Sequence, residues 1–212
     1  MLIGFGLCLL GLGFASLFVD RRAAHFFYDH IREPLFVFMD RTTHWAKGGY
    51  WLAAAVVGYV GSQVAMHFMG SRAWLHSVAK DSLSFLACLA AASLVLHIVK
   101  RVFARRRPRD EMEMGLYEFR VFDFDAIFSL DQPLNSFPSG HAMTIMCAAI
   151  VASCLWPALS AVWFVIALWL GLTRALLTAH FLSDVFIGAG IAMLSSREVI
   201  LGFFPGFAPA WF

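Results

Sequence analysis

Residues 136–184 read SFPSGHAMTIMCAAIVASCLWPALSAVWFVIALWLGLTRALLTAHFLSD. Two apolar segments, 142–157 and 159–177, lie between two polar motifs, and little more than Pro157 joins them. A membrane helix needs about 20 mostly apolar residues, so each segment predicts one membrane span. The short joint predicts a tight antiparallel hairpin, which returns both polar motifs to the same membrane face.

The whole chain shares this apolar character. Its 212 residues are 60% hydrophobic and 14% charged, with a mean hydropathy of +0.73. A soluble domain is nearer half apolar and a quarter charged. We therefore expect an integral membrane protein formed by one domain, residues 1–212, without a separate soluble module. The small net charge of +2 gives no reason to expect a nucleic-acid partner.

Six segments are apolar enough to be membrane spans, which predicts an all-α, polytopic membrane helical bundle. They are residues 2–19, 48–69, 82–99, 142–157, 159–177 and 181–196. We interpret the first as a retained span and not a signal peptide, because no basic region precedes it and no clean cleavage site follows. Residues 20–47 mix arginine with phenylalanine, which favours a helix lying in the headgroup region.

Two features give weaker signals. The four cysteines lie in apolar stretches without metal-ligand spacing, so we interpret them as packing residues and not as disulfides or ligands. The stretch YEFRVFDFD, residues 117–125, alternates apolar and charged residues. This pattern predicts a short strand or hairpin, although a solvated loop fits it equally well.

Three short segments hold the ionisable residues needed to transfer a phosphoryl group. They are KRVFARRRP (100–108), SFPSGH (136–141) and TRALLTAHFLSD (173–184). With six spans, the ends of the first, third and fifth share a membrane face with the starts of the second, fourth and sixth. All three segments therefore fall on one face, which predicts a composite active site there. Charged residues in such positions usually mark a site.

Positive charge in the first and third segments suits phosphate. Lys100, Arg107 and Arg174 would bind the phosphoryl oxygens, and arginine offers a forked pair of donors for them. The other arginines of the run, Arg105, Arg106 and Arg109, are interpreted as a snorkelling juxtamembrane cluster. Pro108 is expected to end the preceding helix.

The motif Pro138-Ser139-Gly140-His141 predicts a helix start. Ser139 is a good N-cap, and Gly140 lets the backbone approach a ligand closely. The free amides of the first turn would bind an anion, with His141 placed to protonate a leaving oxygen. An ordinary capped helix with an interfacial histidine explains the motif equally well.

His180 and Asp184 are four residues apart and would share one face of a helix. A carboxylate bonded to one ring nitrogen fixes the tautomer and makes the other nitrogen a better nucleophile. The alternative is a polar pair that closes a helix end. A metal site would need more ligands than the segment offers, and the neighbouring charges are cationic.

In this order and spacing, the residues resemble the type 2 phosphatidic acid phosphatase family. The family pattern is K-x6-R-P, then P-S-G-H, then S-R-x5-H-x3-D. This chain matches it with Lys100, Arg107-Pro108, Pro138 to His141, Arg174, His180 and Asp184, and departs from it with Thr173 in place of serine. Threonine keeps the hydroxyl group, so we expect little consequence.

The resemblance implies a cofactor-free, metal-independent lipid phosphatase that works in two steps. His180 would attack phosphorus, Asp184 would orient it, and His141 would protonate the leaving oxygen and then activate water. Lys100, Arg107, Ser139, Gly140 and Arg174 would hold the phosphate. The substrate classes implied are undecaprenyl diphosphate, phosphatidylglycerol phosphate, phosphatidic acid and lipid A. The alternatives are a lipid phosphotransferase using the same residues and a non-catalytic protein that binds lipid phosphates.

The sidedness of the site is the one point on which two signals oppose each other. All 16 Lys and Arg residues except Arg72, Lys80 and Arg197 fall on the side of the site, and the positive-inside rule would place that side in the cytoplasm. The family resemblance implies the opposite face, in the periplasm or outside the cell. We follow the resemblance and expect a bacterial inner-membrane protein with an external site.

Overall fold

A computed structural model describes residues 1–109, 119–122 and 135–212, which are mostly helical. The α-helices in these ranges are α1 Leu2–Ser16, α2 Asp20–His30, α3 Leu35–Thr43, α4 Gly48–Met69, α5 Ala73–Val102, α6 Gly140–Leu155, α7 Ser160–Leu176 and α8 Leu182–Phe203. Short 3₁₀ helices cover His44–Ala46, Pro157–Leu159 and Pro205–Phe207. Two-residue strands, β1 Phe103–Ala104 and β2 Arg120–Val121, pair antiparallel. The predicted all-α bundle is confirmed.

Helices α6 and α8 form the centre of the bundle. α8 packs against α1, α5, α6 and α7, while α6 also contacts α4, α5 and α7. Most of α6 is buried, and its small and apolar side chains face all directions. A helix that is apolar all round is typical of such a central position. The two helices that carry the predicted histidine motifs are therefore the ones held most firmly.

Helix α1 approaches α8 closely and then turns sharply. A Cβ atom at Gly13 would lie 2.4 Å from Cγ1 of Ile187, so the contact requires glycine. The chain bends by 82° between α1 and α2. The predicted first span, 2–19, thus ends as a straight helix at Ser16, and Asp20 begins a helix with a different direction.

Six apolar helices do not by themselves establish six membrane crossings. Within the residues that the structure describes, four helical stretches are long and apolar enough to cross a membrane: Leu35–Met69, Ala73–Val102, Pro157–Leu176 and Leu182–Phe203. The bent pair of α1 and α2 makes a fifth if it counts as one span. α6 is apolar but has only 16 residues. The six predicted helices are therefore present, whereas six crossings remain a prediction.

Several helices are longer than the predicted spans, because they continue past the charged residues that limit an apolar segment. α5 begins at Ala73, not at residue 82, and α8 continues to Phe203, not to 196. α5 also contains Lys100, which was expected to follow it. It ends at Val102, well before Pro108, because the next residues leave the helix to form β1.

Only part of the alternating stretch 117–125 can be compared with the structure. Within the described residues 119–122, β2 forms a two-residue strand, as the alternation predicts. Residues 117, 118 and 123–125 lie outside the described part. The cysteines are unpaired: Cys88, Cys147 and Cys154 are buried, and Cys8 is exposed.

Candidate active site

The three predicted segments meet where α5, α6, α7 and α8 begin or end, and main-chain hydrogen bonds join them. The amide of Ser136 donates to the carbonyl of Arg105 at 2.9 Å, and the amide of Ser139 donates to the carbonyl of Asp184 at 2.9 Å. The amide of Arg109 donates to the carbonyl of Thr178 at 3.0 Å. The backbone itself therefore fixes the relative positions of the three motifs.

His180 lies in the connection between α7 and α8, with 3% of its surface exposed. Its Nδ1 atom is 2.8 Å from the carbonyl oxygen of Ser136. A carbonyl oxygen only accepts, so Nδ1 carries the hydrogen and Nε2 keeps its lone pair. The ring is thus held in the tautomer that suits nucleophilic attack through Nε2.

Asp184 is close to His180 but is not its nearest partner. The distance from Nδ1 of His180 to Oδ2 of Asp184 is 3.5 Å. The sequence predicted that these residues share a helical face, but α8 begins only at Leu182 and His180 precedes it. Asp184 therefore acts mainly through its charge, and the carbonyl of Ser136 makes the shorter contact.

Burial makes protonation of His180 less favourable. Loss of hydration, together with the charges of Arg174 and Lys100, lowers the pKa of His180 to about 4, against the raising effect of Asp184. The neutral imidazole therefore predominates at neutral pH. A nucleophilic histidine needs this form.

His141 is the second residue of α6 and faces His180. The centroids of the two rings are 6.4 Å apart. At this separation a single tetrahedral group can contact both rings. One ring can therefore attack a phosphorus atom while the other exchanges a proton with an oxygen on it.

The start of α6 has the features of an anion site. Ser139 is fully buried, and its Oγ accepts a hydrogen bond from the amide of Ala142 at 3.4 Å, which confirms its role as N-cap. A Cβ atom at Gly140 would meet nothing within 4 Å. The backbone at Gly140, the first residue of α6, therefore borders open space, where an anion would be favoured.

The predicted cations surround the two histidines. Lys100 Nζ donates to the carbonyl of Asn135 at 2.7 Å, which holds the ammonium group on the site side of α5. Arg174 donates from Nη1 to Oγ1 of Thr43 at 3.3 Å, and its buried Nε has no hydrogen-bond partner in the described residues. Arg107 and Arg174 both lie close enough to His141 to interact with its charge. The structure thus brings all eight predicted site residues to one region.

The interpretation of Arg105 as a snorkelling arginine was wrong. Its side chain is fully buried, with Nη1 2.7 Å from Oδ1 of Asp184 and Nη2 2.8 Å from Oδ2 of Asp20. Arg105 directly follows β1, and its backbone pairs with Asn135, next to the motif SFPSGH. A basic run shows no local sign of this, because both partners are distant in sequence.

Ser136 was a second residue that the sequence did not single out. Its Oγ donates a short hydrogen bond to Oδ2 of Asp184, in addition to the carbonyl contact with His180. The amide of Phe181 donates to the same carboxylate oxygen at 3.0 Å. Ser136 is the first residue of the motif SFPSGH, but nothing else in the sequence marked its side chain as part of the site.

No group of three or more His, Cys, Asp or Glu side chains with the spacing of a metal site occurs among the described residues. Apart from the Asp184 carboxylate, the charged groups that act on the two histidines are cationic. The arrangement suits an anionic ligand.

A sequence model of the PAP2 superfamily matches residues 81–206. The chain belongs to this superfamily. The match covers α6, α7, α8 and most of α5, and therefore all the predicted site residues. It does not cover α1 to α4.

Two similar proteins are each called "Lipid A 1-phosphatase". The one from Rhizobium etli is 33% identical over 97 residues, which are 46% of this chain and 39% of the relative. The one from Rhizobium johnstonii is 32% identical over 97 residues, or 37% of its length. The matched segment thus spans about two fifths of these relatives.

Two crystal structures share the fold. A transmembrane PAP2-type phosphatidylglycerolphosphate phosphatase from Bacillus subtilis superposes with a TM-score of 0.64 at 23% identity, over 99% of this chain and 96% of that one. Aquifex aeolicus LpxE gives a TM-score of 0.58 at 18% identity, over 86% and 95% of the two chains. Together with its apolar helices, this likeness identifies the chain as an integral membrane protein.

Proposed function

We propose that the protein hydrolyses a phosphate group from a membrane lipid through a phosphohistidine on His180. The single observation that carries this proposal is the contact between Nδ1 of His180 and the carbonyl of Ser136 at 2.8 Å. It leaves Nε2 unprotonated, in a ring whose centroid lies 6.4 Å from that of His141. Membership of the PAP2 superfamily and the names of the similar proteins support the same class of reaction.

In the first step, Nε2 of His180 attacks phosphorus and a nitrogen–phosphorus bond forms. The bond between phosphorus and the lipid oxygen breaks, and His141 gives a proton to that oxygen. Asp184, with its carboxylate near Nδ1, stabilises the positive charge that develops on the attacking imidazole. The lipid alcohol leaves.

In the second step, His141 takes a proton from water, and the water oxygen attacks the phosphohistidine. The nitrogen–phosphorus bond breaks, inorganic phosphate leaves, and His180 returns to its neutral form. The nitrogen–phosphorus bond formed in the first step is broken in the second, and His141 regains from water the proton that it gave to the lipid oxygen, so no external cofactor enters the balance.

Fixed positive charge accounts for the stabilisation of the phosphoryl oxygens. Lys100, Arg107 and Arg174 supply it from α5, the following loop and α7, and the Ser139 hydroxyl and the Gly140 amide add donors at the start of α6. Preorganised charges of this kind usually make the largest contribution to such reactions. In this account they replace the metal ion that many phosphoryl-transfer enzymes use, so the reaction is metal-independent.

The substrate is proposed to be a phosphate monoester or diphosphate carried by a lipid. The curated relatives are named for lipid A, and the Bacillus subtilis protein for phosphatidylglycerolphosphate. These two classes are the first to test, followed by phosphatidic acid and undecaprenyl diphosphate. The site is proposed to face the periplasm or the outside of the cell, as the family resemblance implies and against the distribution of Lys and Arg.

The test is release of phosphate in detergent, in EDTA, from a panel of these lipids. We expect release by the wild type and by His67→Ala, a control at an exposed histidine of α4. We expect none from folded His180→Ala. Loss of release in EDTA, or full release by His180→Ala, would contradict the mechanism. Labelled phosphate that appears on a second lipid instead of in solution would identify a phosphotransferase using the same site.

A further inference from the structure

Asp20 is a buried carboxylate that the proposed reaction does not use. It is the first residue of α2, its surface is 1% exposed, and it lies outside residues 81–206, which match the superfamily. A buried charge of this kind is costly unless it is paired and hydrogen-bonded. Its presence next to the histidine motif therefore needs an explanation.

The contacts of Asp20 all lead towards Asp184. Oδ1 accepts from the amide of Ser183 at 3.1 Å, and Oδ2 accepts from the Ser183 hydroxyl. Oδ2 also accepts from Nη2 of Arg105 at 2.8 Å. α2 has only one other buried residue, Ala24, so these bonds fix the start of α2 against the start of α8.

Arg105 is shared between two carboxylates. Nη1 donates to Oδ1 of Asp184 at 2.7 Å and to the Ser183 hydroxyl at 2.8 Å, while Nη2 serves Asp20. The guanidinium carbon lies 3.7 Å from the ring centroid of Phe181 and 4.7 Å from that of Phe119. The two rings restrict the guanidinium to the plane in which it reaches both acids.

We propose that Asp20 is a positioning residue for the His180–Asp184 pair, acting through Arg105 and Ser183. Asp20 takes one end of the guanidinium and compensates part of its charge. The negative charge of Asp184 therefore remains effective at His180. Without Asp20, the positive charge of Arg105 would be balanced by Asp184 alone, and Nη2 would lose its acceptor.

The inference rests on the proposed function, because it assigns Asp20 a role in the attack by His180. The role proposed for Asp20 affects bond formation at His180 but not the binding of the anion. Asp20 does not reach the phosphate, so its loss should weaken bond formation at His180 and leave the binding of an anion to Lys100, Arg107 and Arg174 unchanged.

Two inorganic anions separate these effects. Orthovanadate binds as a phosphate analogue that can bond to an imidazole nitrogen, whereas sulfate offers only charge and hydrogen-bond acceptors. Titration calorimetry of the full chain in detergent gives both affinities without any lipid substrate. The variants are Asp20→Asn, which keeps the shape, and Ser183→Ala, which removes only the hydroxyl. Asp29→Asn, an exposed acid on α2, is the matched control.

We expect Asp20→Asn to weaken vanadate binding about tenfold or more, by analogy with the loss seen when the outer partners of metal-binding histidines are removed. Sulfate affinity should stay at the wild-type value, Ser183→Ala should show a smaller loss of the same kind, and Asp29→Asn none. With a lipid substrate, kcat should fall and KM stay constant.

Three results would overturn the inference or its foundation. Equal vanadate affinity in folded Asp20→Asn and wild type would refute the positioning role. An equal loss of vanadate and sulfate affinity would show a general disturbance of the site. Failure of the wild type to bind vanadate would instead contradict the proposed function.

Discussion

The surroundings of His180 give this buried residue the form that the proposed attack on phosphorus needs. The carbonyl of Ser136 sets its tautomer, and the loss of hydration keeps it neutral. Asp184 is held by Ser136, Arg105 and the amide of Phe181. The contact from Ser136 therefore holds the ring of His180, and the contacts to Asp184 hold the carboxylate next to that ring.

The pH dependence of the reaction should reflect this environment. Because the pKa of His180 is lowered to about 4, protonation should remove the nucleophile only as the pH falls through that value. On the acidic side, kcat/KM should then fall about tenfold per pH unit below about 4, not below 6.5. Measuring two substrates whose phosphate groups have different pKa values shows whether the loss of kcat/KM at low pH comes from ionisation of the enzyme or of the substrate. An acidic limb near 6.5 for both would contradict this account.

Sequence alone found the residues whose spacing is local and missed those whose partners are distant. Ser139 to His141 form one motif, and Asp184 follows His180 by four positions. Arg105, by contrast, bonds to Asp20, 85 positions away. Nothing in the string KRVFARRRP distinguishes this arginine from its neighbours, because both of its partners are distant in sequence.

At the scale of elements, the contact between α6 and α8 controls the geometry of the site. Ser139 caps α6, and its amide bonds to the carbonyl of Asp184 in α8. A Cβ atom at Gly188 would lie 2.4 Å from the carbonyl oxygen of Ser139. The absence of a side chain at Gly188 therefore lets the two helices meet at the motif.

Replacing Gly188 with alanine should push α8 away from the start of α6. We expect Gly188→Ala to destabilise the protein by about 1–3 kcal/mol, typical of overpacking, and to reduce phosphate release. Gly202→Ala is the matched control in α8, since a Cβ atom there meets nothing within 4 Å. Thermal unfolding in detergent measures both. Equal melting temperatures for the two variants would count against the close contact.

Helix existence was predictable from apolar segments, but helix ends were not. An apolar segment stops at its first charged residue, whereas α5 continues through Lys80 and Asp81 at one end and Lys100 at the other. The bend after α1 is compatible with the predicted change from a span to a helix in the headgroup region, but nothing in the sequence indicated what fixes the bend. It depends on Asp20 reaching Arg105 and Ser183, which are contacts between distant parts of the chain.

At the scale of the whole molecule, sidedness decides which lipid pool the enzyme meets. Single cysteines at Arg32 and Arg72, in a Cys8→Ser background, test it in intact cells with a membrane-impermeant thiol reagent. Cys8 is the exposed native cysteine and is removed for that reason. An external site predicts labelling at position 32 without permeabilising the inner membrane, and at position 72 only after it. The reverse pattern would place the site in the cytoplasm.

The composite site follows from the order of the helices. Lys100 near the end of α5, the start of α6, the end of α7 and the start of α8 meet because successive helices reverse direction. This convergence could be predicted from apolar segments alone. The structure added the main-chain bonds between the motifs and the link to α2, which no count of helices reveals.

The most direct measurement traps the covalent intermediate. An aryl phosphate with a good leaving group needs no proton from His141, so His141→Ala should still form the phosphohistidine but hydrolyse it slowly. Quenching at alkaline pH, followed by mass spectrometry of the fragments, locates the phosphate. The account predicts phosphate on His180 in His141→Ala and none in the double variant with His180→Ala. Phosphate on another residue, or turnover without any phosphorylated protein, would contradict it.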